Sequence, residues 1–218
     1  MIVDKIISHD LPTLVLNDRV EVALQYMDDW KVSHLPVLDG PLLVGLVDEN
    51  TLLGFEDQNM RMHEVPLTEH RVEPNDHIFD VIKIIADFSL STLPVAKTEG
   101  TYLGEISLSS VVDYMAEMGA VRQDGSVIVL EMNTVDYSMA EIARLIEEND
   151  AKILSASVTN FEGSRTAEVS IKINRTAIRG IVQTLERFDY KIKAFYDAPN
   201  YQEDTRKRYN ELMRYLDI

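Results

Sequence analysis

The feature that most constrains this 218-residue chain is a repeat. Leu35-Pro36-Val37 followed by Gly45-Leu46-Val47-Asp48 returns as Leu93-Pro94-Val95 followed by Gly104-Glu105-Ile106-Ser107, and the two Leu-Pro-Val runs lie 58 residues apart. Ahead of each copy the apolar positions keep the same offset: Val20, Ala23, Leu24 and Met27 in the first, Ile78, Val81, Ile82 and Ile85 in the second. A period this long, present twice, predicts two small folding units packed face to face rather than a solenoid.

Each copy reads as the same string of elements. In the first, Thr13-Leu14-Val15 is a short strand, Asn17-Asp18 opens a helix, and Asp18-Arg19-Val20-Glu21 fits a capping box. The helix stripe at i, i+3, i+4, i+7 predicts one buried face. Leu35 to Leu38 and Leu42 to Val47 form strands around an Asp39-Gly40-Pro41 turn, and proline restricts the first strand to an edge or strand-start position. The second copy runs from Arg71 with a turn one residue longer, Lys97-Thr98-Glu99-Gly100, and ends in a helix from about Ser109 to Met118. Its Val111, Val112, Tyr114, Met115 and Met118 predict core or dimer packing.

This order, an apolar start, a helix, an apolar-Pro-Val strand, a turn, Gly-apolar-apolar and a second helix, resembles a tandem CBS-domain pair over residues 1–120, with repeats at about 1–57 and 58–120. In ligand-binding members of that family the Gly-apolar-apolar run is followed by Thr or Ser, two residues and an Asp. The resemblance implies that the hydroxyl meets phosphate and the carboxylate takes the ribose hydroxyls of an adenosine-containing ligand such as AMP, ATP or S-adenosylmethionine. The first copy here reads Asp48-Glu49-Asn50-Thr51 and the second Ser107-Leu108-Ser109-Ser110, so neither keeps the ribose Asp. A carboxylate at Asp48 repels phosphate, which closes the first site to phosphates. The second site becomes the better candidate, with Ser107, Ser110 and Thr92 beside it and Arg71 as an addition. His34, Thr13 and Thr51 complete the candidate ligand-binding set, His34 as a phosphate contact or merely a strand-end side chain. A ligand-free packing interface is the alternative.

Beyond Arg122-Gln123-Asp124-Gly125 the pattern changes. Strand Val127 to Met132, helix Ser138 to Asn149, strand Ile153 to Thr159, a turn at Glu162-Gly163, strand Thr166 to Ile173, helix Thr176 to Arg187 and strand Tyr190 to Phe195 give βαββαβ. Ser138 to Glu141 fits a capping box. Residues 126–196 resemble an ACT domain, a ferredoxin-like unit that often senses amino acids. Relatives that bind amino acids carry Gly in the loop before the first helix; here Met139 stands at that position, which predicts a role in assembly rather than an amino-acid pocket. Residues 197–218 are expected to close the chain, with an amphipathic helix from Tyr201 to Leu216 that packs on its own domain or a partner subunit. The fold class is therefore α+β, and the whole order resembles regulatory proteins of the acetoin-utilisation type.

Composition excludes several function classes. The net charge of −16 argues against nucleic acid as a partner. It is unevenly held: residues 1 to 120 carry 21 acidic against 7 basic side chains, the remainder 16 against 14, which supports two domains. With no cysteine there is no disulfide, thiol catalysis or thiolate-bound metal. No run approaches a membrane span and no signal peptide is evident, so a cytoplasmic setting is expected. The histidines at 9, 34, 63, 70 and 77 show no metal-ligand spacing, and no phosphate loop or nucleophile elbow appears. Asp28-Asp29 and Glu147-Glu148 are helix neighbours that do not face each other. The expectation is a non-enzymatic regulatory homodimer, binding an adenosyl ligand and an unknown protein partner; its rivals are a ligand-free adapter or an amino-acid sensor working through the ACT-like part.

Overall fold

The computed structural model describes residues 3–160 and 165–197, so the expected turn at Glu162-Gly163 and the helix from Tyr201 to Leu216 lie outside the described residues. The chain divides into two compact units, Met1–Tyr114 and Met115–Ile218.

In the first unit, the first repeat holds β1 (Leu14–Val15), α1 (Val20–Trp30), β2 (His34–Asp39), β3 (Leu42–Asp48) and α2 (Glu49–Leu53). The second holds α3 (Ile78–Phe88), β4 (Thr92–Ala96), β5 (Tyr102–Ser107) and α4 (Leu108–Met118), which runs across the unit boundary. The predicted helix stripes are the ones buried: Val20, Ala23 and Met27 with Leu24 partly covered, and Ile78, Val81 and Ile85 with Ile82 partly covered. Both helices end on a left-handed residue at the same offset, Lys31 (φ 55°) and Ser89 (φ 53°), whose N–H groups reach back to Met27 and Ile85. Two expectations are corrected. Arg19, not Asp18, is the N-cap of α1, and no side chain caps it, because the Asp18 carboxyl accepts the Val15 N–H at 2.8 Å instead. Pro36 lies on a central strand, between β1 and β3. It is tolerated because β1 pairs only with Val37 and Leu38, leaving the proline beyond the end of the parallel ladder. The second copy shows the same device, with parallel pairing starting at the Pro94 carbonyl, which accepts the Val72 N–H.

The repeats exchange their leading segments. The Val3 and Asp4 N–H groups donate to the Asp76 and Pro74 carbonyls of the second repeat, while Met62 and His63 donate to the Asp18 and Leu16 carbonyls of the first. Backbone bridges then form between Ser8 and Glu105 and between Thr68 and Leu46. Val3, with Ile6 and Ile7, accordingly packs into the second repeat's core, and Met62 and Val65, with Leu67, into the first. The glycine of each Gly-apolar-apolar run makes room for this crossing. A Cβ on Gly45 would lie 2.8 Å from Leu67 Cβ and the Thr68 oxygen, and one on Gly104, at φ +128°, would lie 2.5 Å from Ile7 Cγ2 and the Ser8 oxygen.

The second unit is β6 (Ser126–Asn133), α5 (Met139–Glu147), β7 (Ile153–Asn160), β8 (Thr166–Ile173), α6 (Arg179–Arg187) and β9 (Lys191–Tyr196). Its antiparallel sheet has the order β7-β8-β6-β9, a ferredoxin-like arrangement. Ala167, Val169, Ile171 and Ile173 face a core shared with Ile142, Leu145 and Ile146 of α5 and Ile181, Val182 and Leu185 of α6, so both helices cover one face. α6 starts at Arg179 rather than Thr176, because its N-cap, Ile178, is not helical (φ −114°, ψ 3°) and is itself fully buried. Ser138 does cap α5, accepting the Glu141 N–H at 3.4 Å.

Candidate functional site

The cleft that draws most on the repeat geometry lies where the end of the first repeat's hairpin meets the second repeat's leading segment. It measures about 320 Å³ and is lined by Ser33, His34, Asp48 and Asn50 on one side and Thr68, His70, Phe88, Ser89 and Leu90 on the other. β2 and β3 deliver His34 and Asp48 because these residues are register partners at the open end of the hairpin. The His70 and Phe88 rings lie 4.0 Å apart between centroids, tilted by 35°.

His34 ties the repeats together. Its Nδ1 accepts the Ser91 N–H at 3.2 Å and lies 3.1 Å from Ser33 Oγ and 3.2 Å from Ser91 Oγ, while Ser91 Oγ accepts the Ser33 N–H at 3.0 Å. A backbone N–H is always a donor, so Nδ1 carries no proton and the neutral ring has its hydrogen on Nε2. Burial pushes the imidazole below its ordinary value; Asp48 pulls the other way and His70 adds to the lowering. Asp48 is the N-cap of α2, taking the Thr51 N–H on Oδ1 at 2.9 Å and the Thr51 hydroxyl on Oδ2 at 2.6 Å. Burial disfavours its anion, but these two bonds outweigh that and hold the carboxyl below the usual range.

The other residues expected at a ligand site are dispersed. Ser107 Oγ lies 2.7 Å from Ser109 Oγ and 2.9 Å from Ser110 Oγ and accepts the Ser110 N–H, so the hydroxyls serve one another at the start of α4. Thr92 is fully buried and donates to the Ile106 carbonyl at 3.3 Å. Thr51 stands behind Asp48 as its partner. Thr13 is half-buried just before β1. Arg71 lines a neighbouring cleft of about 320 Å³ with Leu43, Val44, Gly45 and Glu69, because alternate residues of an extended segment point to opposite sides: Thr68 and His70 one way, Glu69 and Arg71 the other.

Sequence reasoning missed Glu105. It occupies an apolar slot of the repeat and is fully buried, accepting hydrogen bonds from Ser8 Oγ and the Leu11 N–H, both at 3.1 Å, and from the Tyr102 hydroxyl at 2.5 Å. Burial, reinforced by Glu105, raises the Tyr102 phenol well above its ordinary value. The signal available was a charged residue inside an otherwise apolar strand.

In the second unit a cleft of about 470 Å³ is lined by Glu131, Asn133, Asp136, Glu141, Tyr190 and Lys191 among others. Tyr190 donates to Glu141 Oε2 at 2.9 Å, and burial, then Glu141, pushes its phenol up to about 12. Met139 packs against the unit's own core and does not line the cleft. On α4, where core or dimer packing is expected, Val111 and Tyr114 pack against the second repeat's core, and the exposed apolar stripe is Leu108, Val112, Met115 and Met118. Among the described residues no helix is long and apolar enough to cross a membrane.

Comparison with known proteins bears on the first unit. The chain is similar over 200 residues, at 22% identity, to an inosine-5'-monophosphate dehydrogenase of Korarchaeum cryptofilum, covering 78% of this chain but 41% of that protein. The chain thus spans less than half the length of this curated relative. Similar solved structures include a CBS domain pair/ACT domain protein from Thermotoga maritima (24% identity, 54% of this chain and 98% of that one, TM-score 0.49) and an acetoin utilization protein from Vibrio cholerae (18%, 56% and 95%, TM-score 0.49). A third is CBSX2 in complex with AMP (19%, 56% and 98%, TM-score 0.48). Residues 3–56 and 64–117 match the family model described as CBS domain, in register with the two repeats that exchange their leading segments. This region of the chain is a tandem CBS-domain pair and belongs to the CBS-domain family.

Proposed function

We propose that the protein is a non-enzymatic regulatory sensor whose CBS pair binds an adenosine-containing ligand, AMP, ATP or S-adenosylmethionine, in the cleft between the repeats. The observation that carries this reading is the 320 Å³ cleft in a tandem CBS pair, where the rim combines the tilted His70–Phe88 ring pair with the polar groups of His34, Asp48 and Asn50. Aromatic rings beside a few fixed polar groups suit a purine nucleoside. Because the rim takes residues from both repeats, a ligand there binds only the assembled pair and stabilises it. A thermal-shift screen of the full chain against adenosine, AMP, ATP, S-adenosylmethionine and amino acids is the test. A rise in melting temperature with an adenosyl ligand is expected; no rise with any of them overturns the reading in favour of a ligand-free adapter.

The same reading includes a homodimer through α4, whose Leu108, Val112, Met115 and Met118 form one exposed apolar stripe. Light scattering should give a dimer mass for the full chain and a monomer mass for Val112→Lys. A second reading, amino-acid sensing by an ACT-like second unit, is favoured by the 470 Å³ cleft beside the β6–α5 loop. Calorimetric titration of the full chain with amino acids separates it from a purely assembling role.

A further inference from the structure

We infer that the cleft between the repeats sorts adenosyl ligands by charge, taking adenosine or a cationic S-adenosyl sulfonium and refusing AMP and ATP. This rests on the adenosyl reading above and adds the class of ligand.

The lining carries one carboxylate, Asp48, and among the described residues neither a lysine nor an arginine faces it. Of the two imidazoles in the lining, His34 supplies no compensating cation, since its Nδ1 lone pair is occupied by the Ser91 N–H and burial favours the neutral ring, and His70 lies with its ring against Phe88. Nor can Asp48 swing aside: both of its oxygens are held by Thr51, and moving it would uncap α2. The nearest arginine along the segment, Arg71, belongs to the neighbouring cleft and shares it with Glu69. A compact space of this volume is roughly 8 Å across, within one Debye length at physiological salt, so a phosphate anywhere in it meets the Asp48 charge. A sulfonium or ammonium group is attracted by that charge, and an uncharged nucleoside is indifferent to it.

The second repeat supplies the control variant. Ser107, at the position of Asp48, accepts the Ser110 N–H through its hydroxyl and so caps α4 without charge. Asp48→Ser should therefore keep the α2 cap, and a thermal melt checks that it folds. Calorimetry on the full chain at low ionic strength is expected to show adenosine and S-adenosylmethionine binding at least about tenfold more tightly than AMP, and Asp48→Ser to bring AMP to within about threefold of adenosine. AMP binding as tightly as adenosine in the parent, or a gap that Asp48→Ser leaves unchanged, overturns the inference while leaving the adenosyl reading intact. Absence of binding by all of these ligands, in parent and variant, overturns both.

Discussion

The two repeats share a backbone and differ in their polar content. At equivalent positions the first has His34, Leu46 and Asp48 where the second has Thr92, Glu105 and Ser107. In the first repeat the polar pair stands at the cleft rim and the crossing strand is apolar. In the second, the hydroxyls are used locally and the buried polar group is Glu105, which clamps the leading segment of its neighbour through Ser8 and Leu11. The two copies thus share a frame and divide the polar work: the first sets its polar pair at the cleft rim, and the second buries its carboxylate against the leading segment of its neighbour.

The sharpest way to break this comparison is to copy Glu105 into the first repeat. Leu46 is 1% exposed within an apolar cluster, so Leu46→Glu should cost about 4 kcal/mol in denaturant unfolding. A loss below about 1 kcal/mol would mean that the two strand positions are interchangeable. The reverse exchange, Glu105→Leu, strands three donors, Ser8 Oγ, the Leu11 N–H and the Tyr102 hydroxyl, and is expected to cost about 3 kcal/mol. The glycines give a smaller contrast. Both Gly45→Ala and Gly104→Ala push on the crossing segment, but only Gly104 has a left-handed φ, so its substitution should be about 1 kcal/mol the worse. The smallest effect is a pH dependence. His34 has a folded pKa below the unfolded value of 6.5, so the unfolded chain takes up the proton first. Its stabilising share is complete above that pH and is lost as pH falls through the folded value. Melting temperatures measured from neutral pH downward should therefore fall less steeply in His34→Thr, which copies Thr92; an unchanged slope would show that His34 does not link the repeats.

The tandem was legible because its period acts on core positions: buried stripes, Leu-Pro-Val strands and glycines all recur at one offset, and the structure places them alike. The βαββαβ order of the second unit was legible from strand alternation, as in Ala167 to Ile173. Exchange of the leading segments was not, since Val3 and Met62 look like any apolar residue and which of two similar cores receives them is decided by topology. Asp18 misled because one side chain can serve either a cap or a turn, and the Val15 N–H lay within reach. His34 reads in sequence as a phosphate contact or a strand-end side chain, and neither reading names its partner in the fold, Ser91, a hydroxyl and N–H 57 residues along the chain. Pairings at that distance leave no local trace.

Exchange of the leading segments also sets a timetable for synthesis. The first repeat's core lacks Met62 and Val65 until they leave the ribosome, and Val3, Ile6 and Ile7 have no complete core to enter until Val111 has followed. At ordinary elongation rates those N-terminal apolar residues wait roughly 5–20 s without their partners. No cut between the repeats yields two self-sufficient halves, and the pair is expected to fold in one step whose long-range contacts make it slower than either repeat's size alone would suggest.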